Sequence, residues 1–178
     1  MVEVLYILMH RSLLLTTSLA VILLPEILPA AAKKPPALTV SFHLQAEPGD
    51  RRAFKQLTAG KEVLFRKSPE IATSDIVAFR SFPADDGNSY GVIFQLSKVA
   101  SGRLSSLSTA NRGKLLLAVV NGQVRDAVLI DKQVNDGLLV IWKWVSLAEV
   151  RLADQHLPRI GEDPKDWKKR LREEKKKK

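Results

Sequence analysis

NRGKLLLAVVNGQVRDAVLI, residues 111–130, holds two apolar runs that meet at Asn121-Gly122. Asn tolerates a positive φ better than most L-residues, and Gly adopts one freely. The pair therefore suits both central positions of a type I′ turn, whose twist matches that of the strands it joins. The stretch reads as a tight β-hairpin. Asp126 interrupts the second strand, which marks a bulge or a sheet edge there.

Working outward, Tyr90, Val92, Phe94 and Leu96 alternate with other residues, the period of a strand. Ser97 offers a capping oxygen for a helix running to about Ala110. Ala100, Leu104 and Leu107 give that helix an apolar side, and Asn111 and Gly113 stop it. Past the hairpin, Asp136-Gly137 turns the chain into a strand over Leu138–Trp142. Ser146-Leu147-Ala148-Glu149 is a capping box, in which serine and glutamate satisfy each other's backbone amides. The helix it opens aligns Leu147, Val150, Ala153 and Leu157, and Pro158 ends it.

Nearer the N-terminus, Leu38, Val40, Phe42 and Leu44 alternate with Thr39, Ser41, His43 and Gln45, predicting a strand with one buried face. Residues 51–72 carry a mixed signal, with a short strand expected at Val63-Leu64-Phe65. Thr73-Ser74-Asp75 supplies capping oxygens before Ile76, Val77 and Phe79, which predicts a one- or two-turn helix. The sum is an α+β domain. It has a mostly antiparallel sheet of four or five strands with two main helices on one face.

Both ends differ from this body. Residues 1–32 form an apolar leader: His10-Arg11, an apolar Ser12–Leu24, and a small-residue Ala30-Ala31-Ala32 that fits a cleavage site. Met9 is an alternative start. Pro25, Glu26 and Pro29 keep the run short of the roughly 18–20 apolar residues that an uncleaved spanning anchor needs. The leader is therefore read as a signal peptide, residues 33–37 as a linker, 38–160 as the folded domain and 161–178 as a tail. An exported chain, periplasmic or extracellular, is expected. Cysteine is absent, which excludes disulfides, thiolate metal sites and a lipid-modified cysteine anchor.

The tail from Lys165, KDWKKRLREEKKKK, has nine basic and three acidic residues, in a chain whose net charge is +9. Like charges repel and resist burial, so a disordered or frayed helical tail is expected. Its basic residues Lys168, Lys169, Arg170, Arg172, Lys175, Lys176, Lys177 and Lys178 are candidates for contact with an anionic surface. Trp167 and Leu171 make only a thin apolar face beside them.

Catalytic chemistry finds little support in these residues. His43 falls on the polar side of its strand and His156 near a helix end, and both read as incidental surface histidines. Ser101, Ser105, Ser106 and Ser108 crowd one helix without a nucleophile elbow, and read as a solvated face. Asp85-Asp86-Gly87-Asn88-Ser89 lacks the ligand alternation of a calcium loop and reads as a hydrophilic turn. No cofactor, metal or specific nucleic-acid partner is expected. Trp142 and Trp144, two apart on a strand, share a face. Core packing is the commoner fate of such a pair. The alternative is an exposed aromatic platform which, with Asp126, would contact peptide at an open sheet edge.

Read together, residues 90–157 resemble the head subdomain of the first periplasmic domain of SecD and SecDF, accessory subunits of the bacterial protein translocase. The shared order is the strand YGVIFQL, a helix ending TANRGK, the strand LLLAVV, the NG turn, the strand QVRDAVLI, then a strand and a helix opened by Ser-x-x-Glu. Leu38–Gln45 extends the resemblance to 38–157. Departures accompany the match: Asp126-Ala127-Val128 stands where the family often has Ser-Ala-Pro, and Trp142 where it often has Gly. The family's acidic intramembrane residues have no counterpart here. The resemblance implies a SecD-head-like fold and a surface for protein or unfolded peptide, without a translocase motor. The function expected is an exported, non-enzymatic binding module. The alternative is an envelope-surface protein tethered to anionic membrane or polymer by its lysine-rich tail.

Overall fold

A computed structural model describes residues 37–176. The leader and most of the 33–37 linker lie outside the described residues, as do Lys177 and Lys178. Among the described residues, no helix is long and apolar enough to cross a membrane.

The domain is α+β, as the sequence predicts. Its strands are β1 (Val40–Leu44), β2 (Ala53–Thr58), β3 (Lys61–Arg66), β4 (Ile71–Ala72), β5 (Ile76–Pro83), β6 (Tyr90–Leu96), β7 (Leu115–Val120), β8 (Gln123–Leu129) and β9 (Leu138–Val145). Its helices are α1 (Lys98–Ala110), α2 (Leu147–His156) and α3 (Pro164–Lys176). The strands form three antiparallel groups: a four-stranded sheet in the order β4-β1-β7-β8, a three-stranded sheet β5-β6-β9, and the hairpin β2-β3.

One core joins the two larger sheets. Val40, Phe42 and Leu44 of β1 are buried with Val92 and Phe94 of β6 and Ile141 of β9. Ala100 and Leu104 of α1 and Val150, Ala153 and Leu157 of α2 complete it. Alternation explains the strand contributions and helical spacing the rest. Phe42 and Phe94 meet edge to face, with ring centroids 6.3 Å apart. Ser97 caps α1 by accepting the Ala100 N–H, and the Ser146–Glu149 capping box opens α2.

The hairpin of residues 111–130 forms as read, with Asn121 at φ 49° and Gly122 at φ 77°. A second two-residue turn, Ala59-Gly60, joins β2 to β3 with φ 49° and 76°. Alanine gives no turn signal there and strains the left-handed backbone by about 1 kcal/mol. Ala59→Gly is therefore expected to raise the urea midpoint, by about 0.5–1 kcal/mol of stability. An unchanged or lower midpoint would show that the turn is not strained.

Several expectations are corrected. Thr73–Asp75 makes only a 3₁₀ turn, and β5 begins at Ile76 where a helix was expected. The Asp75 carboxylate accepts the Ala72 N–H at 2.9 Å, which caps one turn, while Ile76 onward pairs with β6. His43 is buried rather than on the surface, because the β2-β3 hairpin covers the outer face of β1. Its Nδ1 bonds the Arg66 carbonyl at 2.8 Å, its Nε2 bonds the Ser41 hydroxyl at 2.9 Å, and the Phe54 ring stands edge-on to it. The serine face of α1 is partly covered too. Ser108 is buried, and its Oγ accepts the Val134 N–H at 2.9 Å. Ser105 accepts from Gln133 Nε2 and donates to Asn135 Oδ1, so the 131–137 loop is moored to the helix.

The basic tail, where disorder or a frayed helix is expected, is helical over Pro164–Lys176. Its first turns are fastened: Trp167 Nε1–H donates to the Asp154 carbonyl at 3.0 Å, and Arg170 pairs with Glu162 at 3.0 Å and Asp154 at 3.6 Å. The Arg170 guanidinium holds the Glu162 carboxyl below the usual carboxylate range.

Candidate functional site

The two larger sheets each end in an unpaired strand, β8 in one and β9 in the other. These two strands lie against each other without joining into one sheet. The opposite edge of the second sheet is covered: Phe79 of β5 donates to the Pro158 carbonyl and accepts from the Ile160 N–H. The seam between β8 and β9 is thus the place where strand edges meet without a ladder.

Asp126 holds the seam. In the β7-β8 register Ala118 faces Asp126 while Val119 faces Val124, so Arg125 is an extra, bulged residue. The bulge turns Asp126 so that its Oδ2 accepts the Trp142 N–H at 3.2 Å, and its Oδ1 accepts the Ala127 N–H at 2.8 Å. A side chain thus stands in for a backbone partner across the seam. Arg125 leans the other way, and its Nη2 reaches Glu149 Oε1 of α2 at 2.6 Å.

A second bulge lies on β9. Tyr90 pairs with Val145 and Val92 with Ile141, so the single Gly91 opposes Trp142, Lys143 and Trp144. This overturns the core reading of the tryptophans: Trp142 is 60% exposed and Trp144 is 55% exposed. Three residues facing one must loop outward, which carries both indoles to solvent. Trp144 sits at φ 68°, a strained region for a bulky residue. Its N–H is held by Ser89 Oγ at 2.8 Å, and Lys143 Nζ lies 4.6 Å from the Trp144 ring centroid. Gly91 leaves room for the Phe82 ring, since a Cβ there would lie 2.1 Å from Phe82 Cζ. That ring meets Trp142 edge to face at 6.1 Å.

The Asp85–Ser89 turn serves this bulge. Ser89 donates its hydroxyl to Asp86 Oδ2 at 2.6 Å, while Asp86 Oδ1 takes the Asn88 and Ser89 N–H groups. The Ser89 hydroxyl first, then those amides, hold the Asp86 carboxyl below its ordinary range. Both oxygens are occupied by the turn itself, so Asp86 is structural.

Where β8 and β9 part toward the 130–137 loop, a cleft of about 660 Å³ opens. Phe42, Leu104, Leu116, Val128, Leu139 and Trp142 line it, with polar groups of the loop at its rim. The volume falls within the usual range for a ligand site, and the lining is mostly apolar. The structure therefore joins Asp126, Trp142 and the cleft at one seam, with Trp144 on the adjoining bulge. The cleft was not visible from sequence, because its walls come from β1, β6, α1, β7, β8, β9 and the 130–137 loop.

Of the basic candidates, Lys168, Lys169, Arg172, Lys175 and Lys176 are exposed. Arg170 is corrected: its guanidinium is taken by Glu162, Asp154 and Glu174, and is not offered to solvent partners. Among the described residues, no group of three His, Cys, Asp or Glu stands ready to hold a metal ion.

Fold and seam together define an α+β module in which two sheet edges meet beside an apolar cleft. No family profile matches the chain. No curated protein matches it either. Among solved structures, the chain is similar to SecDF, described as a membrane component that enhances protein export, at TM-score 0.49 and 16% identity over 66% of this chain and 60% of that one. It is also similar to SecDF in a super-membrane-facing form, at TM-score 0.47 and 17% identity over 65% of this chain and 18% of that one. The chain thus spans three fifths of the first of these chains and under a fifth of the second.

Proposed function

We propose that this domain is an exported, non-enzymatic binding module that receives an extended segment of a protein partner at the β8-β9 seam. The observation that carries the reading is the meeting of two unpaired strand edges over an apolar cleft, with Trp142 exposed at its wall. Unpaired backbone edges take an extended chain by adding it as a strand, and the pockets beside them select its side chains. The strained Trp144 bulge supports the same reading, since strain is retained where it serves a surface. Export rests on the leader read at residues 1–32. The resemblance of residues 90–157 to a protein-export head subdomain agrees with a polypeptide partner in the cell envelope.

Binding of a permanently unfolded, carboxymethylated polypeptide tests the proposal. Half-exposed tryptophans at the centre of an interface commonly carry about 2 kcal/mol or more, roughly thirtyfold in affinity. Trp142→Ala with Trp144→Ala is therefore expected to weaken binding by at least that factor, and the outward-facing amides of Leu129 and Val140 should gain exchange protection in the wild-type complex. Equal binding by the double variant, or no added protection along the seam, would overturn the reading.

A further inference from the structure

We infer that α3 seats the protein on an anionic phospholipid bilayer, with Lys165, Lys168, Lys169, Arg172, Lys175 and Lys176 against the headgroups. The spacing of these six along the chain places them on one side of the helix. At 100° per residue they fall within an arc of about 120°. All six are exposed, and none forms an ion pair with another described residue.

The opposite side fixes how this stripe points. Trp167 and Leu171 are half-buried, Trp167 donates to the Asp154 carbonyl, and Arg170 is clamped by Glu162 and Asp154. Glu174 lies on the docked side, 3.5 Å from Arg170, leaving Asp166 and Glu173 as the acids that flank the stripe. Docking thus sorts the charges of the tail: the paired cation faces the body and the unpaired ones face away. A helix of 13 residues presents a straight cationic edge about 20 Å long.

The chemistry of the edge favours a lipid surface. Five of the six cations are lysines, compact hydrated charges suited to a fluid plane of phosphates rather than to a fixed bidentate site. No apolar side chain projects among them, so contact is electrostatic and without insertion. The helix's one aromatic residue, Trp167, is turned to the body, which removes a platform for stacking bases.

Flotation of the full chain with vesicles of phosphatidylcholine alone, or with phosphatidylglycerol added, tests this inference. Each basic residue at an anionic leaflet multiplies binding roughly fivefold. The charge-reversed variant Lys168→Glu/Lys169→Glu/Arg172→Glu is expected to lose more than about 100-fold on phosphatidylglycerol vesicles. Wild-type binding should collapse between about 0.1 M and 1 M salt, as the screening length falls from about 10 Å to about 3 Å. Lys61→Glu/Lys98→Glu, two exposed lysines elsewhere, should leave binding within a few-fold. Any apolar binding by the leader is the same on both vesicle types and drops out of the comparison. Equal binding to neutral vesicles would overturn the inference, as would equal losses from the Lys61/Lys98 variant. Tighter retention on a double-stranded DNA oligonucleotide at the same salt would assign the stripe to nucleic acid instead.

Discussion

Glu149→Ala is expected to destabilise the domain by about 3 kcal/mol, read as a fall in the urea midpoint at unchanged slope. Glu149 is only 8% exposed and serves two partners at once. Its Oε2 accepts the Ser146 N–H at 2.8 Å and the Ser146 hydroxyl at 2.7 Å, closing the box that starts α2. Its Oε1 accepts from Arg125 at 2.6 Å, tying α2 to the bulge of β8. Alanine opens the cap, worth about 1 kcal/mol, and strands a guanidinium of which Nε already lacks a partner. The stranded charge is the larger part, so Arg125→Met added to Glu149→Ala should recover more than half of the loss. A loss under about 1 kcal/mol, or no recovery, would mean that the pair is solvated and mechanically idle.

Acid should remove part of the same stability. Burial raises the Glu149 pKa, but the Ser146 amide and hydroxyl and the Arg125 guanidinium outweigh it, and the net shift is downward. A carboxyl that ionises more readily folded than unfolded stabilises fully above its unfolded value, about 4.3. That stability drains as pH falls through the lower folded value. Glu149→Gln should therefore flatten the acid limb of the stability curve while changing little of its shape near neutrality. An unchanged acid limb would place the sensitivity on other carboxylates.

What the sequence disclosed follows from how local each cause is. Asn121-Gly122, Ser97 and Ser146–Glu149 act within a few residues, and the hairpin and both capped helices stand where those signals place them. Ala59-Gly60 makes the same kind of turn, yet alanine announces nothing. The burial of His43 depends on a hairpin arriving from residues 53–66, which alternation within β1 cannot reveal. The tryptophans are the sharpest case. Period two on a strand puts Trp142 and Trp144 on one face, and their size argues for burial. The three-against-one bulge at Gly91 breaks that period, and nothing near residue 142 encodes it. Arg170 is similar, since its partners Asp154 and Glu162 lie 16 and 8 positions earlier. Asp126 was legible as an irregularity, and its partner across the seam was not.

Phe42→Ala is expected to cost about 3–5 kcal/mol and also to alter what the seam binds. Phe42 is less than 2% exposed to solvent, packs edge to face on Phe94, and still contributes to the wall of the cleft. Removing its ring takes apolar contacts from both sheets and leaves a void continuous with the cleft. A ligand side chain can enter such a void, so part of the lost packing returns on binding. The variant should then favour peptides with a bulkier apolar residue at the buried position, and added peptide should stabilise it more than it stabilises the wild type. Phe65→Ala supplies the contrast. Phe65 is as deeply buried, but it lies outside the core cluster joining the two sheets and away from the cleft. It should lose comparable stability with unchanged peptide preference. If both variants bound peptide alike, the cleft would be a packing defect between two sheets and the partner would have to be sought at the exposed tryptophans alone.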